Sequence, residues 1–222
     1  MSNIELTTSD GQTIGAYLAL PDGQPRGGVV VIQEIFGVNE HIRDVCDRLA
    51  GEGYAAIAPA IFDRLQKGFQ SGYSPEEIET ARALVAHLDI DDCMKDVEAA
   101  QKKASEYGKV GIVGFCLGGS IAFLGATRLS GMSAASGYYG RLTQQFADEK
   151  PKCPVQLHYG AEDEAIPPEN YEDVRRRRPD AEFYLYENAG HGFNCDMRPS
   201  YEPNAAKLAW SRTLELFEAN LT

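Results

Sequence analysis

The feature that most constrains the fold is a series of short apolar segments, each followed by a segment with helical periodicity. The first, GVVVIQ (28–33), is a continuous β-branched run, which is typical of a strand covered on both faces. Further strands are predicted for YAAIAP (54–59), KVGIVGF (109–115) and PVQLHYG (154–160). Because strands that alternate with helices are joined by right-handed crossovers, the chain predicts a mostly parallel sheet with helices on both faces.

The remaining segments complete this α/β pattern. Residues 4–8 and 13–20 alternate in polarity around Asp10-Gly11, which predicts an N-terminal antiparallel hairpin. Shorter strands are predicted over 132–140 and 182–187. Helices are predicted over 40–50, 91–107, 117–129 and 203–220. Two further helices are predicted to begin at the capping box of Ser74 and at Pro168. Without a repeat or a long linker, the 222 residues predict a single domain, 1–222.

Composition excludes several classes of function. The net charge of −12 would repel a phosphate backbone, so nucleic acid is not expected as a partner. No apolar run approaches the roughly 18 residues that span a bilayer, and the N-terminus lacks the features of a signal peptide. Five scattered cysteines without CxxC spacing predict neither a disulfide framework nor a zinc site. We therefore expect a cytoplasmic protein with no membrane partner, no metal and no cofactor.

A candidate nucleophile follows the strand 109–115. The segment Gly114-Phe115-Cys116-Leu117-Gly118 fits G-x-C-x-G, the cysteine form of the nucleophile elbow. The sharp turn needs glycines because side chains there would collide with the adjoining strand and helix. The helix N-terminus favours the thiolate, and the amide of Leu117 is placed to stabilise an oxyanion. The alternative is a glycine-rich turn that serves packing or binds phosphate, with Cys116 as an inert buried thiol.

Two further polar side chains follow strands, where parallel sheets bind their ligands. Asp163 comes after the strand 154–160 and is placed to orient an imidazole, although it could instead cap the next helix, and Glu162 and Glu164 compete for the role. His191 follows the strand 182–187 in a glycine-rich loop, although an isolated histidine is often only a structural residue. A metal pair of His191 with Cys195 lacks further ligands at suitable spacing.

Together, Cys116, Asp163 and His191 give the order nucleophile, acid, histidine, each in the loop after its own strand. That order is the one α/β-hydrolases use, and other triad folds use different orders. The combination of motif, order and placement is far more specific than any one of the three residues.

The chain resembles the dienelactone hydrolase (carboxymethylenebutenolidase) family over nearly its whole length. The motifs that carry the resemblance are QEIFG (33–37), GFCLGG (114–119), GYYG (137–140), HYGAEDEAIP (158–167) and AGHGF (189–193). The resemblance implies an α/β-hydrolase fold, a monomer, and hydrolysis of a cyclic enol ester, dienelactone, to maleylacetate. It also implies a Cys116, Asp163, His191 triad and a Glu34 that holds the thiol in check until substrate arrives.

The residues themselves support part of the role of Glu34. A carboxylate that follows a buried strand needs a partner, and an anion near a thiol would raise the pKa of that thiol. The alternative is an ion pair of Glu34 with Arg43 or Arg64. The amide of Ile35 is the natural second oxyanion donor, because it lies in the loop after the strand 28–33.

The chain departs from the family where the substrate carboxylate is bound. The family uses two arginines, and the corresponding positions here are Cys195 and either Ile78 or Glu76. Substitutes could be Arg82, Arg198, Arg64 and Arg141, and Tyr138 could line the pocket or merely pack. The competing functions are a carboxylesterase or thioesterase for esters without a carboxylate, and a redox-sensing or binding protein in which Cys116 is modified rather than turning over.

Overall fold

A computed structural model describes residues 1–222, which form two compact units. The first unit comprises residues 1–111 and Leu221, and the second comprises residues 112–220 and Thr222. The two units follow one another along the chain, and the G-x-C-x-G motif around Cys116 lies in the second unit. The single domain predicted over 1–222 stays a prediction.

The first unit opens with the predicted hairpin. Strands β1 (Ser2–Thr7) and β2 (Thr13–Ala19) are antiparallel, with Ser2 opposite Leu18 and Thr7 opposite Thr13. Strands β3 (Gly28–Ile32) and β4 (Ala55–Pro59) are parallel, β2 pairs antiparallel with β4, and the strand order is β1-β2-β4-β3. All residues of β3 and β4 are buried, as expected for strands covered on both faces.

The helices of the first unit begin at recognisable caps. Helix α1 (Glu40–Gly51) starts after Asn39, whose side chain accepts a hydrogen bond from the amide of Ile42. Helix α2 (Pro75–Val85) starts with the predicted capping box of Ser74 and Glu77. Helix α3 (Ile90–Ala104) is followed by a 3₁₀ turn over residues 105–107, so the predicted continuous helix 91–107 tightens in its last turn.

The second unit is a sheet of strand order β5-β6-β7-β8 with three helices. The strands are β5 (Val110–Phe115), β6 (Met132–Tyr138), β7 (Val155–Gly160) and β8 (Glu182–Tyr186). The pairs β6–β7 and β7–β8 are parallel, which places Tyr138, His158 and Tyr184 side by side. The helices are α4 (Leu117–Arg128), α5 (Pro168–Arg177) and α6 (Pro203–Leu221).

The predicted fold class is confirmed, with strands alternating with helices and an antiparallel hairpin at the start. A 3₁₀ helix over residues 141–146 was not predicted, because so short an element has no hydrophobic period to detect. No helix in the structure combines the length and the apolar character that a membrane crossing requires.

Candidate active site

The turn from β5 into α4 has the backbone of a nucleophile elbow. Cys116 has a φ of 55°, in the left-handed region that a residue with a side chain rarely adopts. A Cβ on Gly114 would lie 1.9 Å from the carbonyl oxygen of Gly118, and one on Gly119 would lie 2.3 Å from that of Tyr138. The amide of Cys116 donates a hydrogen bond of 3.0 Å to the carbonyl of Tyr138. The glycines are therefore required to bring three backbone segments together at Cys116.

The position of Cys116 at the start of a helix has an electrostatic consequence. Cys116 is the residue before α4 and is partly exposed. Leu117 is the first residue of α4, and the first amides of a helix have no acceptor within the helix. These amides and the helix dipole stabilise negative charge beside Cys116.

The loop after β8 carries His191 to this turn. Its Nε2 lies 3.1 Å from the sulfur of Cys116. Gly192, with a φ of 81°, allows the loop to reverse directly after the histidine. The ring of Tyr139 packs against the imidazole, with 5.2 Å between the two ring centroids. The histidine is thus held on one side by the aromatic ring and on the other by its polar partners.

The loop after β7 supplies the carboxylate that contacts His191. Oδ2 of Asp163 accepts a hydrogen bond of 2.8 Å from Nδ1 of His191, and Oδ1 accepts one of 2.9 Å from the amide of Ala165. The side chain of Asp163 is fully buried, whereas Glu162 and Glu164 are exposed. Of the three acidic residues in this loop, Asp163 is the one positioned to orient the imidazole.

The charges of the two partners decide the protonation of His191. Burial lowers the pKa of His191, but attraction by a Cys116 thiolate and the hydrogen bonds to Asp163 and Cys116 outweigh it, so the pKa is raised well above 6.5. The imidazole therefore keeps its proton at neutral pH when Cys116 is ionised. A charged imidazole beside a sulfur atom is the electrostatic environment in which cysteine nucleophiles in general react as the anion.

Glu34 and Ile35 lie in the first unit, directly after β3. Glu34 is 1% exposed, and its carboxylate lies within 4.8 Å of a ring nitrogen of His41. The sequence analysis did not predict His41 as a site residue. The signal that could have identified it is the presence of a histidine in the first turn of an otherwise amphipathic helix. The arginines considered as partners for Glu34 have other contacts: Arg43 donates to the carbonyl of Val38, and Arg64 binds two aspartates.

The candidate substrate-binding residues have different surroundings. Arg64 is 11% exposed and forms ion pairs with Asp10 and Asp96, both 2.9 Å or shorter, within the first unit. Arg82 is exposed on α2. Tyr138 is fully buried, and its hydroxyl lies 2.7 Å from that of Thr213, which matches the packing alternative.

Arg198 lies beside the loop that carries His191. A Cβ on Gly192 would lie 2.5 Å from Nη1 of Arg198, so the guanidinium rests against the residue that follows the histidine. The structure therefore places a half-buried cation near His191, within the same unit.

Comparison with known proteins identifies the family of the chain. The sequence profile of the dienelactone hydrolase family matches residues 14–221. A Synechocystis sp. protein, provisionally named a carboxymethylenebutenolidase, is 38% identical over 94% of this chain and 92% of its own length. The carboxymethylenebutenolidase of Pseudomonas putida is 34% identical over 96% of this chain and 94% of its own length.

Solved structures give the same result. A Klebsiella pneumoniae protein, provisionally named a dienelactone hydrolase, superimposes with a TM-score of 0.85 at 33% identity, over 98% of this chain and 99% of that chain. The dienelactone hydrolase of Anabaena variabilis shares the fold, with a TM-score of 0.74 at 20% identity over 100% of this chain and 98% of that chain. This chain belongs to the dienelactone hydrolase family and is a hydrolase of that type.

Proposed function

We propose that this protein hydrolyses an enol lactone or another activated ester with Cys116 as nucleophile, His191 as acid and base, and Asp163 as the carboxylate that orients His191. The observation that carries the proposal is the unbroken chain of hydrogen bonds from Cys116 to His191, at 3.1 Å, and from His191 to Asp163, at 2.8 Å. Three groups in this order, on a cysteine residue that is partly exposed, are what acyl transfer to a thiol requires.

Acylation begins from the thiolate–imidazolium pair. The sulfur of Cys116 attacks the ester carbonyl, and the amide of Leu117 stabilises the negative oxygen that develops. The C–O bond to the leaving group then breaks, and the leaving oxygen either takes the proton from His191 or departs as an enolate while the imidazolium releases its proton to solvent. An enolate is a good leaving group, so the step needs little help from an acid.

Deacylation needs the opposite role from His191. Acylation removes the negative charge of the sulfur, which is one of the causes of the raised pKa of His191. The imidazole, once neutral and still oriented by Asp163, takes a proton from water, whose oxygen attacks the thioester. The C–S bond breaks, the acid leaves, and the thiolate–imidazolium pair forms again.

Two residues of the first unit enter the proposal through the family resemblance. We propose that the amide of Ile35 is the second oxyanion donor and that Glu34 restrains the thiol until substrate is present. The support for Glu34 is that it lies two residues after the end of β3 and is 1% exposed, a position where burial of a carboxylate is costly.

The substrate class is the less constrained part of the proposal. Where the family binds a carboxylate with two arginines, this chain has Cys195 and Ile78 or Glu76. Arg198, beside Gly192, is the candidate cation in the unit that holds the three groups. A carboxylesterase or thioesterase for neutral esters is the second candidate function, favoured by the buried Cys195 at a family arginine position.

We also propose that the protein is a cytoplasmic monomer. All five cysteines are free thiols, which suits the reducing cytoplasm. The proposal of a monomer rests on the family resemblance. A small-molecule ester or lactone is the only kind of partner that the family membership requires.

The test is multiple-turnover hydrolysis of cis- and trans-dienelactone and of p-nitrophenyl acetate by wild type, Cys116→Ala and Cys153→Ser. Cys153 is a second partly exposed thiol, so its variant controls for general loss of a cysteine. We expect turnover of dienelactone by wild type and Cys153→Ser and none by Cys116→Ala. Turnover of the aryl ester alone would keep the nucleophile and replace the substrate. A single stoichiometric burst would instead support the redox-sensing alternative, and activity in Cys116→Ala would overturn the proposed nucleophile.

A further inference from the structure

A polar line with two buried members crosses the second unit next to the strand ends that lead to the candidate active site. It consists of Arg212 on α6, Tyr186 at the end of β8 and His158 on β7, and we refer to these three residues as the α6 line. His158 is 0% exposed and Tyr186 is 6% exposed. The mechanism above gives none of them a chemical step.

The hydrogen bonds of the α6 line form a continuous chain from Arg212 to His158. Arg212 can only donate, and its Nη1 lies 3.1 Å from the hydroxyl oxygen of Tyr186. The same oxygen lies 2.9 Å from Nδ1 of His158. Because it accepts from Arg212, the hydroxyl is able to donate its own proton to Nδ1 in the His158 tautomer that carries its proton on Nε2. Burial, with a further contribution from the charge of Arg212, lowers the pKa of His158 to about 3, so the ring is neutral.

The ring of His158 is held between two tyrosines. It stacks on Tyr138 with 4.5 Å between centroids and on Tyr184 with 5.3 Å, because the three residues are aligned in the parallel register of β6, β7 and β8. Tyr138 is fixed at its other end by the hydroxyl of Thr213, one residue after Arg212. Helix α6 therefore fixes both the imidazole and the tyrosine on which it stacks.

The backbones of the same residues hold the loops that carry the three reactive groups. The carbonyl of Tyr138 accepts the amide of Cys116, at 3.0 Å. The carbonyl of Tyr186 accepts the amides of Ala161 and Ala189, at 2.9 and 3.3 Å, at the start of the loops that lead to Asp163 and His191. A shift of either tyrosine would move one reactive group relative to another.

Stability alone does not explain why the α6 line is polar. Nε2 of His158 is buried and has no hydrogen-bond partner, which costs free energy, and an apolar core of the same volume would avoid that cost. Hydrogen bonds are directional where apolar packing is not, so a polar line fixes the orientation of each ring.

We propose that Arg212, Tyr186 and His158 are positioning residues that hold the ends of β6, β7 and β8 in the alignment needed for the hydrogen bond between Cys116 and His191. The inference rests on the proposed function, because the α6 line has this role only if the hydrogen bond between Cys116 and His191 is used in catalysis. The three residues act through the backbone of Tyr138 and Tyr186 and do not touch the substrate.

The test compares Tyr186→Phe with Tyr184→Phe. Each variant removes one phenolic hydroxyl from neighbouring rings of the same strand, but the hydroxyl of Tyr184 binds the exposed Glu182 instead of His158. For Tyr186→Phe we expect kcat to fall on the order of tenfold with little change in KM, because misplacing reacting groups by a fraction of an ångström is costly. We also expect slower alkylation of Cys116 by iodoacetamide at pH 6. Tyr184→Phe should match wild type in both measurements.

Thr213→Val provides an independent route, because it keeps the side-chain shape and releases the hydroxyl of Tyr138, together with that of Ser136 on the same strand. It should show the same pattern, and it decides the question if Tyr186→Phe does not fold. The proposal is overturned if the folded variants lose only thermal stability while kcat and the alkylation rate stay at wild-type values, or if Tyr184→Phe shows the same loss as Tyr186→Phe. Alkylation does not depend on a substrate, so it tests the α6 line even if wild type fails to hydrolyse any ester.

Discussion

Nε2 of His191 lies 3.1 Å from the sulfur of Cys116, although 75 positions separate the two residues in the chain. Two independent backbone features produce this distance. Cys116 adopts a positive φ at the end of β5, and Gly192 reverses the loop directly after His191. The contact links the charge of the sulfur to the proton of the imidazole, which can be tested without knowledge of the substrate.

The first prediction concerns the reactivity of Cys116 at acidic pH. Since a Cys116 thiolate raises the pKa of His191, linkage requires that a protonated His191 favours the thiolate in return. Between pH 6 and 8, the rate of alkylation by iodoacetamide should therefore be higher in wild type than in His191→Gln. In His191→Gln it should rise with pH in the range of an ordinary cysteine, near about 8.5. Background from other thiols is measured in Cys116→Ala, and identical pH profiles for wild type and His191→Gln would contradict the ion pair.

The second prediction concerns Asp163. Asp163→Asn should lower kcat for an aryl ester by about 10³ to 10⁴, because an amide at this position favours the wrong tautomer of His191. The matched control is Glu162→Gln, which makes the same change on an exposed neighbour and should keep wild-type kcat. Steady-state kinetics at neutral pH measures both. Equal kcat values for the two variants would mean that the hydrogen bond between Asp163 and His191 is not used.

The sequence was sufficient to predict the strands, most helix starts and the three loops of the site. Glycines, caps and apolar runs are local signals, and the chain order of Cys116, Asp163 and His191 is a pattern that few folds use. The choice among Glu162, Asp163 and Glu164 could not be made from sequence, since all three are carboxylates in the same loop. The structure distinguishes them because only Asp163 is buried, with one oxygen on the amide of Ala165 and the other on His191.

Contacts between distant segments could not be predicted. Arg64 was one of several arginines able to bind a carboxylate, and its two aspartates lie 54 and 32 positions away in the chain. His158 had no signal beyond its place in a strand, since its partner Tyr186 is 28 positions away. Such pairs depend on how helices and strands pack, which a single sequence specifies only through the whole fold.

The third prediction concerns the backbone of the elbow. Gly114→Ala should destabilise the protein by about 3 kcal/mol or more, because its Cβ would lie 1.9 Å from the carbonyl oxygen of Gly118 and the backbone cannot move away without breaking the turn. Gly23→Ala is the matched control, since no atom lies within 4 Å of the Cβ added there. Urea denaturation gives the free energy of unfolding of both. A Gly114→Ala variant as stable as Gly23→Ala would refute the close approach at the elbow.

The last prediction concerns Arg64 and Asp96 in the first unit. The Asp96 side chain is fully buried, and burial raises its pKa to about 6 even though the hydrogen bond from Arg64 lowers it. In Arg64→Met the buried carboxylate loses its partner, so we expect a loss of about 3 kcal/mol of stability near pH 8. Lys95→Met, which removes an exposed cation from the same cluster, should cost less than about 1 kcal/mol.

The pH dependence of this loss follows from the sign of the shift. The folded pKa of Asp96 lies above its unfolded value of 3.8, so the cost of the ionised carboxylate grows as pH rises through about 6 and is relieved when pH falls. Removing Arg64 raises that pKa further, so the deficit of Arg64→Met should be smaller at pH 5 than at pH 8. Asp10 does not disturb this window, because Arg64 holds the pKa of Asp10 below 3.8 and its contribution is lost only at lower pH. If Arg64→Met instead keeps wild-type stability at both pH values and raises KM for dienelactone, Arg64 binds substrate and the buried ion pair is not its main role.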